Sequence, residues 1–348
     1  MSTDSAVPAV SLGAASAPYT QYRVAYVTLD AVHVGAGGHR LGRVDMTIVR
    51  EPGTRLPKIP GTTLSGASRS YSALLYGKPE AAGQQKDFRG DRSTCPILHT
   101  YGSATDDDKG NAGTVSICDA HILLFPVATS QGPSWVTTSS LLTDSGFSHS
   151  LAPGGAEQIK TTAAFNGAQR LNLGWVLFDQ LSTGELGSAM AASIAETLTT
   201  LDASGQAAIN AILNRIVVVD ESIFPAIVNS NLEVRTSVVI DPKTGTADPG
   251  GLFSYEAIPR ATVLMGDVIE DDYRKPEFVQ VTKQFNPGAS NGGTDKEDDG
   301  DPLKSPWTRP TNVVKAGMEL MENLGVGGMG TRGFGRVRAI WPMQGGKL

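Results

Sequence analysis

The chain has only two cysteines, Cys95 and Cys118, and no Cys-x-x-Cys spacing, which argues against a disulfide framework and a structural zinc site. It has no apolar run near the roughly eighteen residues that a membrane-spanning helix needs. The opening stretch MSTDSAVPAVSLGAASAPYT has no basic segment of the kind that begins a secretory signal. These absences predict a cytoplasmic protein with no membrane partner, and residues 1–20 read as a disordered leader. Gly-Lys-Ser/Thr is missing as well, which excludes a P-loop. GVGGMG at 325–330 spells Gly-x-Gly-x-x-Gly, but it follows a helical pattern and precedes a strand, the reverse of dinucleotide-binding order.

A formal charge of −6 argues at first against nucleic acid, because phosphate binding leaves a basic footprint. The whole excess lies in two polar runs, TDKEDDGD at 294–301 and DDDK at 106–109, which read as solvated loops. A locally basic groove elsewhere remains open. Glycine, by contrast, is abundant. Forty glycines, with clusters at 35–38, 250–251 and 325–335, predict backbone that adopts positive φ or lies close to a ligand.

In chain order, QYRVAYVTLDAVHV at 21–34 alternates as a half-buried strand, and VDMTIV at 44–49 is a second short strand with Asp45 at its mouth. After Pro60-Gly61 the spacing predicts a helix over 63–76, capped by Thr62 or Thr63 and ended by Gly77, its N-terminus open to an anion. Residues 78–114 are polar and unpatterned, an insertion or lid. Strands are expected at 115–127, 171–180 and 215–220, a loop at 143–164, and a helix pair at 187–214 broken near Ser204-Gly205. A hairpin around Asp-Pro-Lys-Thr-Gly is expected within 233–259. An acidic low-complexity insertion follows at 284–306, then a helix at 311–325 and a last strand, FGRVRAIWP. Interleaved strands and helices without an internal repeat predict an α+β or α/β fold.

Two places carry chemistry. A lone Asp such as Asp45 is usually a cap or a surface charge, and only its neighbours raise it to a candidate reacting group; His33 nearby is either a satisfied strand histidine or a proton carrier of the type that works near neutral pH. RGFGRV at 332–337 resembles half of an RNA-recognition core string, with Arg336 and Ala339 in place of its later aromatics. What remains is glycine-rich backbone flanked by Arg332, Arg336 and Arg338, suited to phosphates rather than bases, and equally a tight helix-to-strand turn with surface arginines.

The ordered series HVGAG (33–37), GRVDMTIVRE (42–51), PKIPGTTLSGASR (57–69), DAHILLFPV (119–127), WVTTS (135–139), DESIFPAIV (220–228), EAIP (256–259) and GGMGTRGFGRV (327–337) resembles the repeated backbone subunit of type III CRISPR effectors. That family belongs to the RAMP superfamily, and the match is nearer its Cmr (type III-B) than its Csm form. It spans roughly 21–341, with 78–114 and 284–306 outside it. The resemblance implies an α+β fold, a modified ferredoxin-like (RRM-like) palm with a protruding β-hairpin thumb at about 233–255, in one domain over 21–348. It implies copies stacked in a helical filament on a CRISPR RNA, beside other type III subunits, each thumb displacing one nucleotide of the guide–target duplex. The aspartate of the Val-Asp string, here Asp45, then cuts the target RNA, with Mg²⁺ or Mn²⁺ as cofactor and Asp45 as its protein ligand.

By the same resemblance His33 and Glu256 support catalysis. RNA contacts fall to Arg43 and Arg50 around the Asp45 string, to Thr62, Thr63, Ser65 and Arg69 at the helix start, and to Gly328, Thr331, Arg332, Gly333, Phe334 and Arg336 in the glycine loop. Ser65 stands where the family commonly has a lysine, with Arg69 as the expected substitute. Two alternatives stay open: a cleavage-silent structural backbone that binds CRISPR RNA, and a CRISPR-RNA-processing RAMP endoribonuclease.

Overall fold

The computed structural model describes residues 19–37, 44–83, 85, 88–89, 91–103, 110–147, 149–162, 165, 168–185, 210–271 and 307–341. Residues 1–18 of the expected leader, Arg43, residues 187–209 of the helix pair and the acidic insertion at 284–306 lie outside them. Residues 19 and 20 already belong to β1 (Tyr19–Thr28).

Alternation buries Val24, Tyr26 and Thr28 on one face of β1, which pairs antiparallel with β13 (Val263–Asp271) on one side and β14 (Val337–Ile340) on the other. β13 in turn pairs antiparallel with β4 (Ala120–Val127). Helix α1 (Gly61–Leu75) lies between β1 and β4 in the chain, and α5 (Pro310–Leu324) between β13 and β14. The path β1-α1-β4-β13-α5-β14 therefore takes the spatial order β14-β1-β13-β4. Leu64 of α1 and Val314, Met318 and Met321 of α5 share one core with Val24, Tyr26, Ile122 and Leu264 of these strands. Each such side chain, fully buried, contributes about 1.5–3 kcal/mol, so this layer is what holds helices to sheet.

The two helices meet through small residues. Ser68 and Ser72 of α1 donate their hydroxyls to the carbonyls of Val314 and Val313 at 3.1 and 2.7 Å, and a Cβ on Gly317 of α5 would lie 2.2 Å from the Ser68 carbonyl oxygen. At the start of α5, Glu270 is 4% exposed and accepts from Arg309 Nε and Nη2 at 3.2 and 3.1 Å and from the Thr311 N–H at 3.3 Å. This pair ties the end of β13 to the first turn of α5. The sheet continues from β4 through β5 (Ser134–Thr138), β10 (Ile216–Val219), β6 (Gln158–Thr161) and β9 (Gln180–Thr183). A second core forms there from Leu123, Leu124, Trp135, Ile216 and Val218 with Leu142 of α3 (Ser139–Asp144).

The hairpin expected within 233–259 is present as β11 (Glu233–Ile240) and β12 (Ala247–Ala257), a two-stranded sheet of its own. Its turn is closed by Asp241 N–H to the Thr246 carbonyl at 2.9 Å and Gly245 N–H to the Asp241 carbonyl at 2.8 Å. Val238, Val239, Ile240 and Leu252 stand exposed along it.

Several expectations need correction. The run at 115–127 is two strands, β3 (Val115–Ile117) and β4, broken at Cys118-Asp119. The run at 171–180 folds back at Gly174, φ +61°, into β7 (Leu171–Leu173) and β8 (Val176–Phe178), and the expected loop at 143–164 contains β6. Residues 44–49 make isolated bridges rather than a ladder. The 78–114 stretch holds a helix, α2 (Pro96–Tyr101), too short to show periodicity; its Ile97 and Leu98 bury with Trp307, Val313 and Ala316. Helix α1 starts at Gly61 after Pro60, without a side-chain cap from Thr62 or Thr63. Among the described residues no helix is long and apolar enough to cross a membrane.

Candidate nucleic-acid interface

Val44 is buried and Asp45 exposed on a segment that bridges β12 at Met46, Gly35 at Ile48 and Pro57 at Arg50. Met46 bridges Tyr255 in the parallel sense: its N–H donates to the Ser254 carbonyl at 3.1 Å, and the Glu256 N–H donates to the Met46 carbonyl at 3.1 Å. That register brings Asp45 to Ser254. Asp45 Oδ2 accepts from the Ser254 N–H at 2.7 Å and from Ser254 Oγ at 2.9 Å, and the Asp45 N–H donates to Ser254 Oγ at 3.3 Å.

Glu256 and Arg50 do not face outward as expected. Glu256 Oε2 accepts from Arg50 Nη2 at 2.7 Å and from the Ile48 N–H at 3.4 Å, while Arg50 Nε and Nη1 donate to Asn229 Oδ1 and the Ile48 carbonyl at 2.9 and 3.1 Å. Both side chains are about 15% exposed, so they act as the brace that fixes the 44–50 segment to the hairpin base. His33 is 3% exposed, and its Nδ1 lies 2.6 Å from the Glu256 carbonyl. A carbonyl only accepts, so Nδ1 carries the proton. The His33 carbonyl accepts from the Gly328 N–H at 2.8 Å, so ring and backbone together tie the hairpin base to the glycine loop.

On the other face of β12, Phe253 and Tyr255 meet the glycine-rich loop, as strand alternation requires. The Tyr255 ring lies 5.4 Å from Phe334, 5.9 Å from Phe253 and 6.2 Å from His33. The guanidinium carbon of Arg235 sits 4.4 Å over Phe334, and that of Arg332 sits 5.1 Å over Phe253. Phe334 is 2% exposed and has no face to offer a base; it is the anchor of the loop, which corrects its expected RNA contact. Around it Gly328, Thr331, Arg332 and Gly333 are exposed. A Cβ on Gly327, φ +78°, would lie 2.6 Å from the His33 carbonyl, so only glycine lets the loop approach this closely. Arg336 is exposed but paired, with its Nε on the Glu322 carbonyl at 2.8 Å and Nη1 3.5 Å from Asp30. Arg338 pairs with the Glu322 carboxylate.

The start of α1 is also occupied from within. The Gly61 N–H donates to Asp119 Oδ1 at 2.7 Å, and Lys58 Nζ reaches Asp119 Oδ2 at 2.5 Å. Burial is the strongest single influence on the Asp119 carboxyl and raises its pKa, but the Gly61 N–H and Lys58 together hold it below the usual value. The first turn therefore faces an acid of its own fold, a correction to the anion site expected there. Past that turn, Thr62 is exposed and Thr63 and Ser65 half-buried. Thr63, Gly66 and Ser70 line a groove of about 340 Å³ against Gly325, Gly327 and Gly330, with Tyr71, Leu324 and Val326 among its apolar walls. Arg69 is not part of it: its Nε and Nη2 donate to the Ala81 carbonyl at 3.0 and 2.9 Å, and Nη2 also to the Gly102 carbonyl at 2.9 Å. It ties down the 78–114 stretch and does not replace the lysine that Ser65 lacks.

The sequence reading missed Ser254, Arg235 and Phe253. Alternation along β11 and β12 was their only local signal, and it does not say which face meets the glycine loop. The residues do not build a divalent-ion cage: among the described residues no three His, Cys, Asp or Glu side chains converge, and Glu256 is bound to Arg50.

The RAMP superfamily model matches residues 26–338. The chain is 27% identical over 276 residues, 76% of its own length and 86% of the relative's, to the CRISPR system Cmr endoribonuclease Cmr4 of Pyrococcus furiosus. It is 41% identical over 51 residues, 14% of its length and 24% of the relative's, to the CRISPR system Cms endoribonuclease Csm3 of Enterococcus italicus. In fold it is similar to a chain of the type III-B Cmr-beta complex bound to cognate target RNA, with a TM-score of 0.56 at 16% identity over 92% of this chain and 97% of that one. Oligomeric Cmr4 from Pyrococcus furiosus gives a TM-score of 0.53 at 18% identity over 92% and 98%.

Proposed function

The chain belongs to the RAMP superfamily, and from that membership we propose that it is a CRISPR-RNA-binding backbone subunit of a type III effector complex that cuts guide-matched target RNA through Asp45. Its partners in this reading are the CRISPR RNA, the target RNA, further copies of itself in a helical filament and other type III subunits. The path β1-α1-β4-β13-α5-β14, antiparallel in the order fourth-first-third-second, supports a ferredoxin-like palm, with the β11–β12 hairpin as thumb. The observation that carries the reading is the exposed Asp45 carboxylate held at the base of that hairpin.

A hairpin that displaces one nucleotide breaks A-form geometry and turns a ribose 2′-OH in line with its own phosphate, so distortion supplies proximity and orientation. Asp45 then takes the 2′-OH proton as the O2′–P bond forms, and the P–O5′ bond breaks to leave a cyclic phosphate and a 5′-OH that water protonates. A Mg²⁺ or Mn²⁺ ion at Asp45 would draw its other ligands from RNA phosphates and water and would supply charge stabilisation there. His33, Glu256 and Arg50 keep the 44–50 segment and the hairpin in register. The guide backbone lies along the groove between α1 and the glycine loop, where Thr63, Gly66, Gly327 and Gly330 allow close approach, and past it to the exposed Gly328, Thr331 and Gly333.

The complex assembled with guide RNA is expected to cut a matched target at regular intervals in buffer containing Mg²⁺ or Mn²⁺. Intact target would leave the cleavage-silent backbone as the surviving reading. Precursor repeat RNA given to the isolated chain without metal is expected to stay whole; its cleavage would instead favour the processing nuclease. Arg332, held over Phe253 at the hairpin base, is placed to meet phosphate, and so is Arg235 over Phe334, whose Nε also bonds Glu233 Oε1 at 2.6 Å. Arg332→Ala and Arg235→Ala should each lower the slope of log affinity against log salt by about 0.7 for single-stranded RNA. An unchanged slope removes that arginine from the interface.

A further inference from the structure

We infer that Ser254 is a positioning residue for Asp45, through which the hairpin and the carboxylate are set as one unit. This rests on the reading of Asp45 as the cutting residue. The contact runs both ways: Ser254 gives its N–H and its hydroxyl to Asp45 Oδ2 at 2.7 and 2.9 Å, and the same hydroxyl accepts the Asp45 N–H at 3.3 Å. Two donors on one carboxylate oxygen fix the plane and rotamer of an otherwise exposed side chain. A hydroxyl that also accepts from the Asp45 amide fixes the backbone that carries it. A short hydroxyl side chain both donates and accepts from a single atom, which alanine cannot do.

Ser254 is itself held from both sides. Its neighbour Phe253 carries Arg332 over its ring, and its neighbour Tyr255 packs edge-on against Phe334. One residue further, Glu256 is clamped by Arg50. Asp45 lies near the start of a segment bridged to the fold at Met46, Ile48 and Arg50, and its exposed carboxylate meets β12 at Ser254. Position therefore passes from the braced β12 to the exposed carboxylate through Ser254, so wherever the hairpin seats against RNA, Asp45 is carried to a fixed place beside it.

The test compares wild type, Ser254→Ala, Ser254→Thr and Asp45→Ala in the complex assembled with guide RNA, reading kcat, KM and target affinity separately. Ser254→Ala should lower kcat about 10–100-fold, the size expected for a misplaced reacting group, with KM and target affinity unchanged. Ser254→Thr keeps the hydroxyl and should return kcat toward the wild-type value. The inference is overturned by a wild-type kcat in Ser254→Ala, by a loss that threonine does not restore, or by a loss confined to KM. A Ser254→Ala complex that does not assemble or bind target also overturns it, since the serine would then be structural. If wild type and Asp45→Ala are equally inactive or equally active, the reading of Asp45 fails first and this inference with it.

Discussion

Asp45→Ala is expected to reduce cleavage of guide-matched target RNA by about 10²–10⁴-fold, the contribution of a positioned general base, with assembly and RNA affinity at wild-type values. The second half of the expectation comes from where Asp45 sits. It is exposed, and the backbone bonds that hold its segment, Met46 N–H to Ser254 and Glu256 N–H to Met46, do not involve its side chain. Val44 and Ile48 on either side are buried, and Arg50 is braced by Glu256 and Asn229. Removing the carboxylate therefore loses surface hydrogen bonds to Ser254, each worth about 0.5–1.5 kcal/mol, and leaves the anchors in place. Asp45→Asn separates the two roles. The amide oxygen still accepts from Ser254 but is no base, so cutting should fall as far as in Asp45→Ala while the segment stays ordered. A variant that loses RNA binding in proportion to cutting would make Asp45 a structural residue, and a variant that still cuts would place the chemistry elsewhere.

What was legible in the sequence was local. The turn Asp241-Pro242-Lys243-Thr244-Gly245 gives the hairpin from its own chemistry, because Asp241 bonds the amide two residues on and Gly245 takes φ +67°. The periodic 311–325 run gives α5 for the same kind of reason. The glycine loop was legible as backbone built for close approach, but Phe334 read as part of its exposed string, since nothing nearby announces Tyr255 and Arg235 as its packing partners. The pairing of 44–50 with β12 joins residues 209 positions apart, and no pattern in either segment specifies it. Arg50 and Glu256 were therefore seen as site residues and not as each other's partners. Asp119 was read as the middle of one strand. It sits at the break between two, where its carboxylate reaches back to the first turn of α1. In each case the sequence shows the side chain and not its partner, because the partner is fixed by tertiary contact.

Gly317→Ala is expected to destabilise the chain by the upper end of the about 1–3 kcal/mol that overpacking costs, although alanine is intrinsically favoured over glycine in a helix interior. The reason is the seam between α1 and α5. An added Cβ at 317 would lie 2.2 Å from the Ser68 carbonyl oxygen, 2.3 Å from Ser72 Oγ and 2.8 Å from Ser68 Oγ. A hydroxyl can rotate away, but a helix carbonyl cannot, so the helices must separate. Separation also stretches the Ser68 and Ser72 hydrogen bonds to Val314 and Val313, which pull the seam shut. Gly66→Ala is the matched control on the facing helix: no atom lies within 4 Å of a Cβ there, so the helix propensity gain of up to about 1 kcal/mol should appear undiminished. Urea midpoints of the RNA-free chain should therefore move in opposite directions for the same chemical change. Equal shifts would mean that α1 and α5 slide freely enough to absorb a methyl group, and the seam would not be what holds the two helices at their spacing.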